Sequence, residues 1–464
     1  MKISNWVCII LLMPTLCFAG ETLTLSLEEA IDLGLEHNRT LRIARERVRA
    51  SEYGVRSART AFLPHLSGGG TYTHLDQRPF IDASGFGRMF DPLMAPFQNL
   101  VDNGYLDPAT LEGLLGGGAD RIYVGQSDNY IFNLSAQQPL FTGGALRNSY
   151  RMAQRNAEVQ SWNLERDERQ VQLDVTEAFL SLVKALGFLG VTEESIRQLE
   201  AHIQDLENLY AEGMIIENDL LKARVQLSSV RLLNNRADNG VQMAVSYLCY
   251  LLDLDLDTEI VPAEIPGASE GNLNSLSSYT SYALRNRPEL RAIEAQKEMG
   301  KSLVSLQRSK YFPSLFLVGN YDWKRPNRQY EPEFYGSWNV LLTMQLDLFN
   351  WGETHYRIQE AQSAYRQIAE ASKLLADRIS LEVKQAYLTL FESQRGLELA
   401  EEALAQAQEN YRVTRENFHA GVATNTDLLD AQAELTRAKT EKVNAHADLL
   451  IAQGKFDFAT AGYE

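Results

Sequence analysis

Asp427 and Asp430 stand three residues apart, a spacing that puts both carboxylates on one face of a helix. Acids there offset a helix dipole if they fall in its first turn, an effect worth about 0.3–1 kcal/mol. Asp219 stands in a similar stretch, Asp219-Leu220-Leu221-Lys222-Ala223, with Lys222 where a second acid would be. The remaining reactive residues form no familiar constellation. Histidines 37, 65, 74, 202, 355, 419 and 446 are scattered without ligand spacing. There is no H-E-x-x-H and no G-x-S-x-G. Gly113 and Gly118 have the spacing of a phosphate loop, but Ala119-Asp120 follows where Lys-Ser/Thr is required. No catalytic residue, metal site or cofactor is expected; the acids are candidates for electrostatics alone.

The elements that must position them are set by composition. The chain has 464 residues, 45% hydrophobic and 23% charged, which is the composition of a folding chain. A net charge of −17 argues against nucleic acid as a partner. Met1-Lys2, the apolar run Trp6–Leu16 and Cys17-Phe18-Ala19 read as a secretory signal peptide over 1–19. Lipid attachment at Cys17 is the alternative, although Pro14-Thr15-Leu16 lacks the small residue expected just before a lipidated cysteine. Cleavage after Ala19 leaves Cys249 as the lone cysteine, so no intrachain disulfide forms. Beyond Ala19 no run of eighteen apolar residues is apparent, and no membrane-spanning helix is expected.

One pattern is written twice. Leu35, Leu41, Pro64, Leu66 and Tyr72 recur as Leu284, Leu290, Pro313, Leu315 and Tyr321, a constant separation of 249 residues. From Leu140-Phe141…Gly144 onward the separation is 208, to Leu348-Phe349…Gly352 and then Gly421…Asp427-Leu428-Leu429 for Gly213…Asp219-Leu220-Leu221. The change marks an insertion in the first half, between Tyr72 and Pro139. None of the 13 prolines lies within 140–261 or 333–464, and both stretches are rich in good helix formers. Runs such as 145–210 and 353–418 would reach about 100 Å as single helices. Each ends near a glycine, Gly213 or Gly421, and a second helical stretch follows, so each half contains a long antiparallel hairpin. Ser26-x-x-Glu29 is a capping box for a helix over about 27–60, whose counterpart is about 275–306.

Between the helices the period changes to two. Trp338, Val340, Leu342, Met344, Leu346 and Leu348 alternate with Asn339, Thr343, Gln345 and Asp347, with Leu341 the exception. Leu315, Leu317, Tyr321 and Trp323 alternate with Phe316, Val318, Asn320 and Asp322, and Phe132, Leu134, Ala136 and Leu140 with Asn133, Ser135 and Gln137. Leu66–Leu75 is a glycine-rich fourth case. Such strands suit a soluble sheet packed on helices or tilted transmembrane strands. With a signal peptide and very long helices, the second reading is favoured. Four strands cannot close a barrel, and open edges are not tolerated in lipid, so the chain must oligomerise: two copies give eight strands and three give twelve.

At this point the residues resemble the TolC-type outer-membrane efflux proteins. The resemblance is carried by Leu27-Glu28-Glu29-Ala30…His37-Asn38-Arg39-Thr40-Leu41, by Ala61-Phe62-Leu63-Pro64-His65-Leu66, and by the echoes Asn286-Arg287-Pro288-Glu289-Leu290 and Tyr311-Phe312-Pro313-Ser314-Leu315. Pro139-Leu140-Phe141-Thr142-Gly143-Gly144 and Leu348-Phe349-Asn350-Trp351-Gly352 are similar to the family's strand-to-helix junctions. The resemblance implies a mainly α fold with membrane β: long helical hairpins forming an α-barrel, and four strands per chain in a trimeric twelve-stranded β-barrel. It implies a homotrimer in the outer membrane, reaching into the periplasm and working with a periplasmic adaptor and an inner-membrane transporter. The function implied is the passive exit duct of a tripartite efflux or type I secretion system. The alternative is a periplasmic coiled-coil adaptor, which would carry one hairpin flanked by compact β domains.

The expected organisation is a first repeat over 20–252, with strands 66–75 and 130–141, an external loop 76–129 and a hairpin 143–252. A linker, 253–278, precedes the second repeat over 279–464, with strands 315–323 and 337–349 and a hairpin 351–464. The resemblance places Asp427 and Asp430, with Asp219, at the pore constriction, where rings of carboxylates would select cations. It places the turns Gly213-Met214-Ile215 and Gly421-Val422-Ala423-Thr424 against the adaptor. Lys222 is expected to pair with a carboxylate across the hairpin. Phe418 and Ala423 occupy places where some relatives carry a Tyr and an Arg that latch the entrance, so this chain must latch it otherwise.

Overall fold

A computed structural model describes residues 23–82, 95–110, 121–263 and 275–462. The expected signal peptide with Cys17, the glycine run at 116–118 and part of the linker lie outside these residues. The chain divides into two compact units, one built from 1–53, 154–300 and 364–464, the other from 54–153 and 301–363.

The first unit is helical. After β1 (Leu23–Leu25), Ser26 caps α1 (Leu27–His37): its hydroxyl accepts the Glu29 N–H at 3.3 Å, and the Glu29 carboxylate accepts the Ser26 N–H at 2.8 Å. The single helix expected over 27–60 is in fact two, because Asn38 leaves the helical conformation before α2 (Arg39–Thr60). Its buried side chain explains the break: Oδ1 accepts the Thr40 N–H at 2.8 Å, and Nδ2 donates to the Leu251 carbonyl at 2.9 Å. The counterpart is likewise divided, into α5 (Leu276–Asn286) and α6 (Pro288–Ser309), since Arg287 precedes a proline and is pushed out of the helical region.

Two long hairpins follow the repeats. The first is α3 (Ala145–Ala211) and α4 (Glu217–Leu252); the second is α7 (Glu353–His419) and α8 (Asn425–Thr460). Leu199, Ile203 and Leu206 of α3 pack on Leu220, Ala223, Leu227 and Val230 of α4. Ile379, Val383 and Leu390 of α7 pack on Leu449, Ala452 and Phe456 of α8, with Tyr279 of α5. A third core joins Leu41, Val175, Phe179, Leu180, Leu182, Leu248 and Leu252 to Leu25 and Ile260, where β1 pairs in parallel with β6 (Ile260–Pro262). One window of α3 is apolar and long enough to cross a bilayer, contrary to the expectation above. Its Phe179, Leu180 and Leu182 are fully buried in that third core, as in the core helix of a folded unit, while about a third of the window is buried in all.

Arg287 occupies the place of Asn38 in the second repeat and does the same job with a charge. Its Nη1 donates to the carbonyls of Phe458 and Ala459 at 3.3 and 3.2 Å, and Ala459 corresponds to Leu251. The guanidinium, 5% exposed, also meets Glu289 at 2.8 Å and Glu382 at 3.0 Å.

Between the hairpins, α3 and α8 meet along six polar rungs. They are Glu177–Lys455 at 3.2 Å, Lys184–Asp448 at 2.9 Å, Glu194–Lys439 at 2.7 Å, Ser195–Thr436 at 3.2 Å, Gln198–Gln432 at 2.5 Å and His202–Asn425 at 2.8 Å. Gly187 allows the close approach, since a Cβ there would sit 2.6 Å from the Val443 side chain. The helices thus run in the order α4, α3, α8, α7. The outer two leave large apolar side chains uncovered: Leu221, Val225, Leu232 and Met243 on α4, and Leu374, Leu381, Leu388 and Phe391 on α7.

The second unit holds an antiparallel sheet, in the order β2 (His65–His74), β5 (Asp128–Thr142), β7 (Ser314–Arg325) and β8 (Tyr335–Gln345). A small hairpin of β3 (Phe80–Asp82) and β4 (Arg121–Tyr123) lies within the insertion. β8 stops at Gln345, short of the expected 349, and Leu346–Phe349 leads unpaired toward α7. Register sorts the side chains. Leu134, Tyr321 and Trp338 lie in one row on one face, and Asn133, Asp322 and Ser337 in the next row on the other. The polar face is internally bonded, Asn133 to Asp322 at 2.6 Å and Asn320 to Asn339 at 3.0 Å. The apolar face is open: Trp338 is 76% exposed, Val340 60% and Leu342 64%.

Candidate functional site

The hairpin ends bring together most of the residues singled out in the sequence. Both first helices stop in the same way. Gly213 and Gly421 take φ of 73° and 78°, and the next N–H groups, of Met214 and Val422, reach back to the carbonyls of Leu209 and Asn417. In many such turns the apolar residue after the glycine covers its own helix. Here Met214 and Val422 are 67% and 77% exposed. Ile215 turns inward toward the α3–α4 core and Ile216, which the sequence did not single out, is the exposed neighbour. Ala423 is half-buried, and Thr424 is the N-cap of α8.

The three acids separate by role. Asp427 closes a capping box: its carboxylate accepts the Thr424 hydroxyl at 2.7 Å and the Thr424 N–H at 2.8 Å. Those two bonds hold its pKa below the ordinary 3.8. Asp219 sits in the first turn of α4, which has no side-chain cap of its own, and its peptide carbonyl accepts the Asn425 amide at 2.9 Å. Asp430, one turn into α8, is exposed and its carboxylate makes no hydrogen bond or ion pair among the described residues. The Asp219 carboxylate is likewise unengaged among the described residues but half-buried, so Asp430 is the more open of the two to a passing ion.

Among the described residues Lys222 does not meet a carboxylate. It donates to the Thr426 hydroxyl at 3.2 Å, because Thr426 is the residue the other hairpin presents at that point. The tips are also joined by Asn425, which is 5% exposed and which the sequence reading missed. Its Oδ1 faces His202 Nε2 of α3, and its Nδ2 donates to Asp219 of α4. Phe418 stacks edge-on against the His202 ring at 5.3 Å. A separation of 223 residues between His202 and Asn425 leaves no local signal for this contact. His202, Asp205, Tyr411, Arg415, Glu416 and His419 surround a cavity of about 320 Å³ beside it.

Burial holds the His202 pKa below its ordinary 6.5, so the ring is neutral at neutral pH. As pH falls from above 6.5 through that lowered value, the unfolded chain takes up a proton that the folded chain resists, and stability declines. His202→Gln should therefore flatten the loss of thermal stability between about pH 7 and about pH 5. An unchanged pH dependence in melting curves of the variant would show that other groups dominate.

These tips, hairpins and two-faced sheet have counterparts in known proteins. Residues 108–252 and 280–462 match the family model for the outer membrane efflux protein. Alkaline protease secretion protein AprF of Pseudomonas aeruginosa is 23% identical over 353 residues, covering 73% of this chain and 70% of AprF. Outer membrane protein TolC of Salmonella enteritidis is 21% identical over 369 residues, covering 74% of this chain and 73% of TolC. The Campylobacter jejuni CmeC outer membrane channel has the same fold, with a TM-score of 0.77 at 16% identity over 97% of this chain and 91% of that one. A match spanning both hairpins and the strands between them leaves one conclusion: this chain belongs to the outer membrane efflux protein family.

Proposed function

We propose that the chain is the exit duct of a tripartite efflux or type I secretion system, a passive conduit whose energy comes from an inner-membrane partner. As a member of an outer-membrane efflux family it is a channel protein of the outer membrane that extends into the periplasm. The observation that carries the reading is the sheet: four strands, apolar and exposed on one face, with the edges of β2 and β8 unpaired among the described residues. In hydrocarbon such edges are unacceptable, and copies joined β8 to β2 remove them. Three copies make twelve strands. The same repetition brings the exposed apolar side chains of α7 against those of α4 in the next copy, closing a ring of helices. A heterologous contact of this kind closes by rotation.

The hairpin tips face the adaptor in this reading, with Met214, Ile216 and Val422 as the apolar contacts and Gly213 and Gly421 shaping the turns. Three copies of Asp430 ring the entrance, with Asp427 and Asp219 near it. A carboxylate ring in a narrow passage attracts cations and repels anions. The coiled-coil adaptor alternative would require compact β domains beside a single hairpin; this chain shares one sheet between two hairpins. In a planar bilayer the purified protein should conduct weakly and prefer cations, and Asp430→Ala should lower the cation-to-anion permeability ratio at least about twofold. An unaltered ratio would remove Asp430 from the constriction.

A further inference from the structure

Arginines in the helical unit mostly pair with acids, as Arg412 does with Glu409 and Glu416. Beyond one end of the sheet the pattern reverses. Arg78 lies 4.7 Å over Tyr123, Arg121 4.5 Å over Phe80 and Arg328 4.7 Å over Tyr335. Arg325 lies 5.6 Å from the Tyr130 ring and 5.9 Å from that of Phe334. Among the described side chains none of the four has a carboxylate within ion-pair distance, and the register sets Asp82 opposite Arg121. Nearby acids bond elsewhere: Asp128 holds Tyr72 and His74 and feels the Arg325 charge only at longer range, Asp322 holds Asn133 and Lys324, and Glu331 holds Asn327.

Register places Arg325 on a particular face. It is the last residue of β7, opposite Tyr130, two rows beyond Phe132–Trp323, and so on the same, apolar side. Phe334 stacks on Trp323 at 4.5 Å and on Phe132 at 6.3 Å, completing an aromatic cluster there. Aromatic clusters at the ends of apolar barrel faces mark the border between hydrocarbon and headgroups. A guanidinium stacked flat on rings keeps its N–H edge free for a planar or tetrahedral oxyanion. A chain with net charge −17 also needs local positive charge to sit against an anionic leaflet.

We propose that Arg325, seated between Tyr130 and Phe334, binds a phosphate group of an outer-leaflet lipid, with Arg78 and Arg121 as further contacts beyond it. The proposal rests on the exit-duct reading. Arg328 serves as the internal control, because Tyr335 belongs to the row of Lys324, on the polar side.

The test titrates bisphosphorylated lipid A in detergent micelles against the purified oligomer and reads bound lipid by native mass spectrometry, with dephosphorylated lipid A and inorganic phosphate as separate arms. Arg325→Gln should weaken bisphosphorylated lipid A about tenfold, the loss expected for one charge-assisted contact. Arg328→Gln should change binding less than about twofold, and dephosphorylated lipid A should bind all proteins alike. Equal losses in both variants, equal binding of the two lipids by the unaltered protein, or full displacement by inorganic phosphate would each overturn the proposal. The comparison of the two lipids on the unaltered protein needs no variant to fold. Failure of the unaltered protein to form an oligomer or conduct would count against the duct reading instead.

Discussion

Arg287→Ala should cost each copy about 3–5 kcal/mol, as much as truncating a large side chain of the core. The side chain is almost fully buried and satisfies four groups at once: Glu289, Glu382 and the carbonyls of Phe458 and Ala459. Truncation leaves two acids without a counter-ion and the end of α8 without its donor, in a site that water reaches poorly. Arg287→Lys keeps the charge but not the planar fork, and should recover only part of the loss. Denaturant unfolding in detergent, followed by circular dichroism, measures both. A change under about 1 kcal/mol for the alanine variant would mean that water or a rearranged Glu382 replaces the guanidinium.

The second large effect should come from two adjacent residues of β8 given the same substitution. Val340→Arg puts a charge on the apolar face near mid-strand, where a lipid-facing arginine costs about 2–4 kcal/mol per copy, three times over in a trimer. Leu341→Arg puts the same charge on the polar face, beside Thr343 and Asn339, and should be tolerated. Yield of the heat-modifiable oligomer in outer-membrane extracts reads the difference. Equal behaviour of the two variants would mean that the apolar face does not meet lipid.

The repeats, the hairpins and the two-faced strands were legible because each is a local regularity. A period of two in Leu315–Trp323 or the absence of proline after Pro332 is visible without knowing any partner. The interruptions were less legible. Asn38 breaks the first helix only because Leu251, more than two hundred residues away, offers it a carbonyl, whereas Pro288 announced the equivalent break at Arg287. The tip was the hardest part. Carboxylates at 427 and 430 look alike in the sequence, yet Thr424 draws one of them into a cap and leaves the other free. Lys222 was expected to find an acid and met a hydroxyl, and the contact that joins the tips runs through Asn425 and His202, whose pairing depends on the register of α3 against α8. Charge pattern along one helix carries no information about that register.

The two helical hairpins meet through rungs from Glu177–Lys455 to His202–Asn425 and through apolar side chains as well: Leu450 of α8 joins the core of Val175 and Phe179, and Phe418 and Leu429 pack on the core of the first tip. A chimera taking its first hairpin whole from a relative must therefore preserve Glu177, Lys184, Glu194, Ser195, Gln198 and His202 of α3, Asp219 and Lys222 of α4, and the apolar surface that receives Leu450, Phe418 and Leu429. Grafting α3 alone would in addition scramble its interdigitated interior with α4 and the pairs Glu200–Arg231, Glu207–Arg224 and Thr192–Asn234.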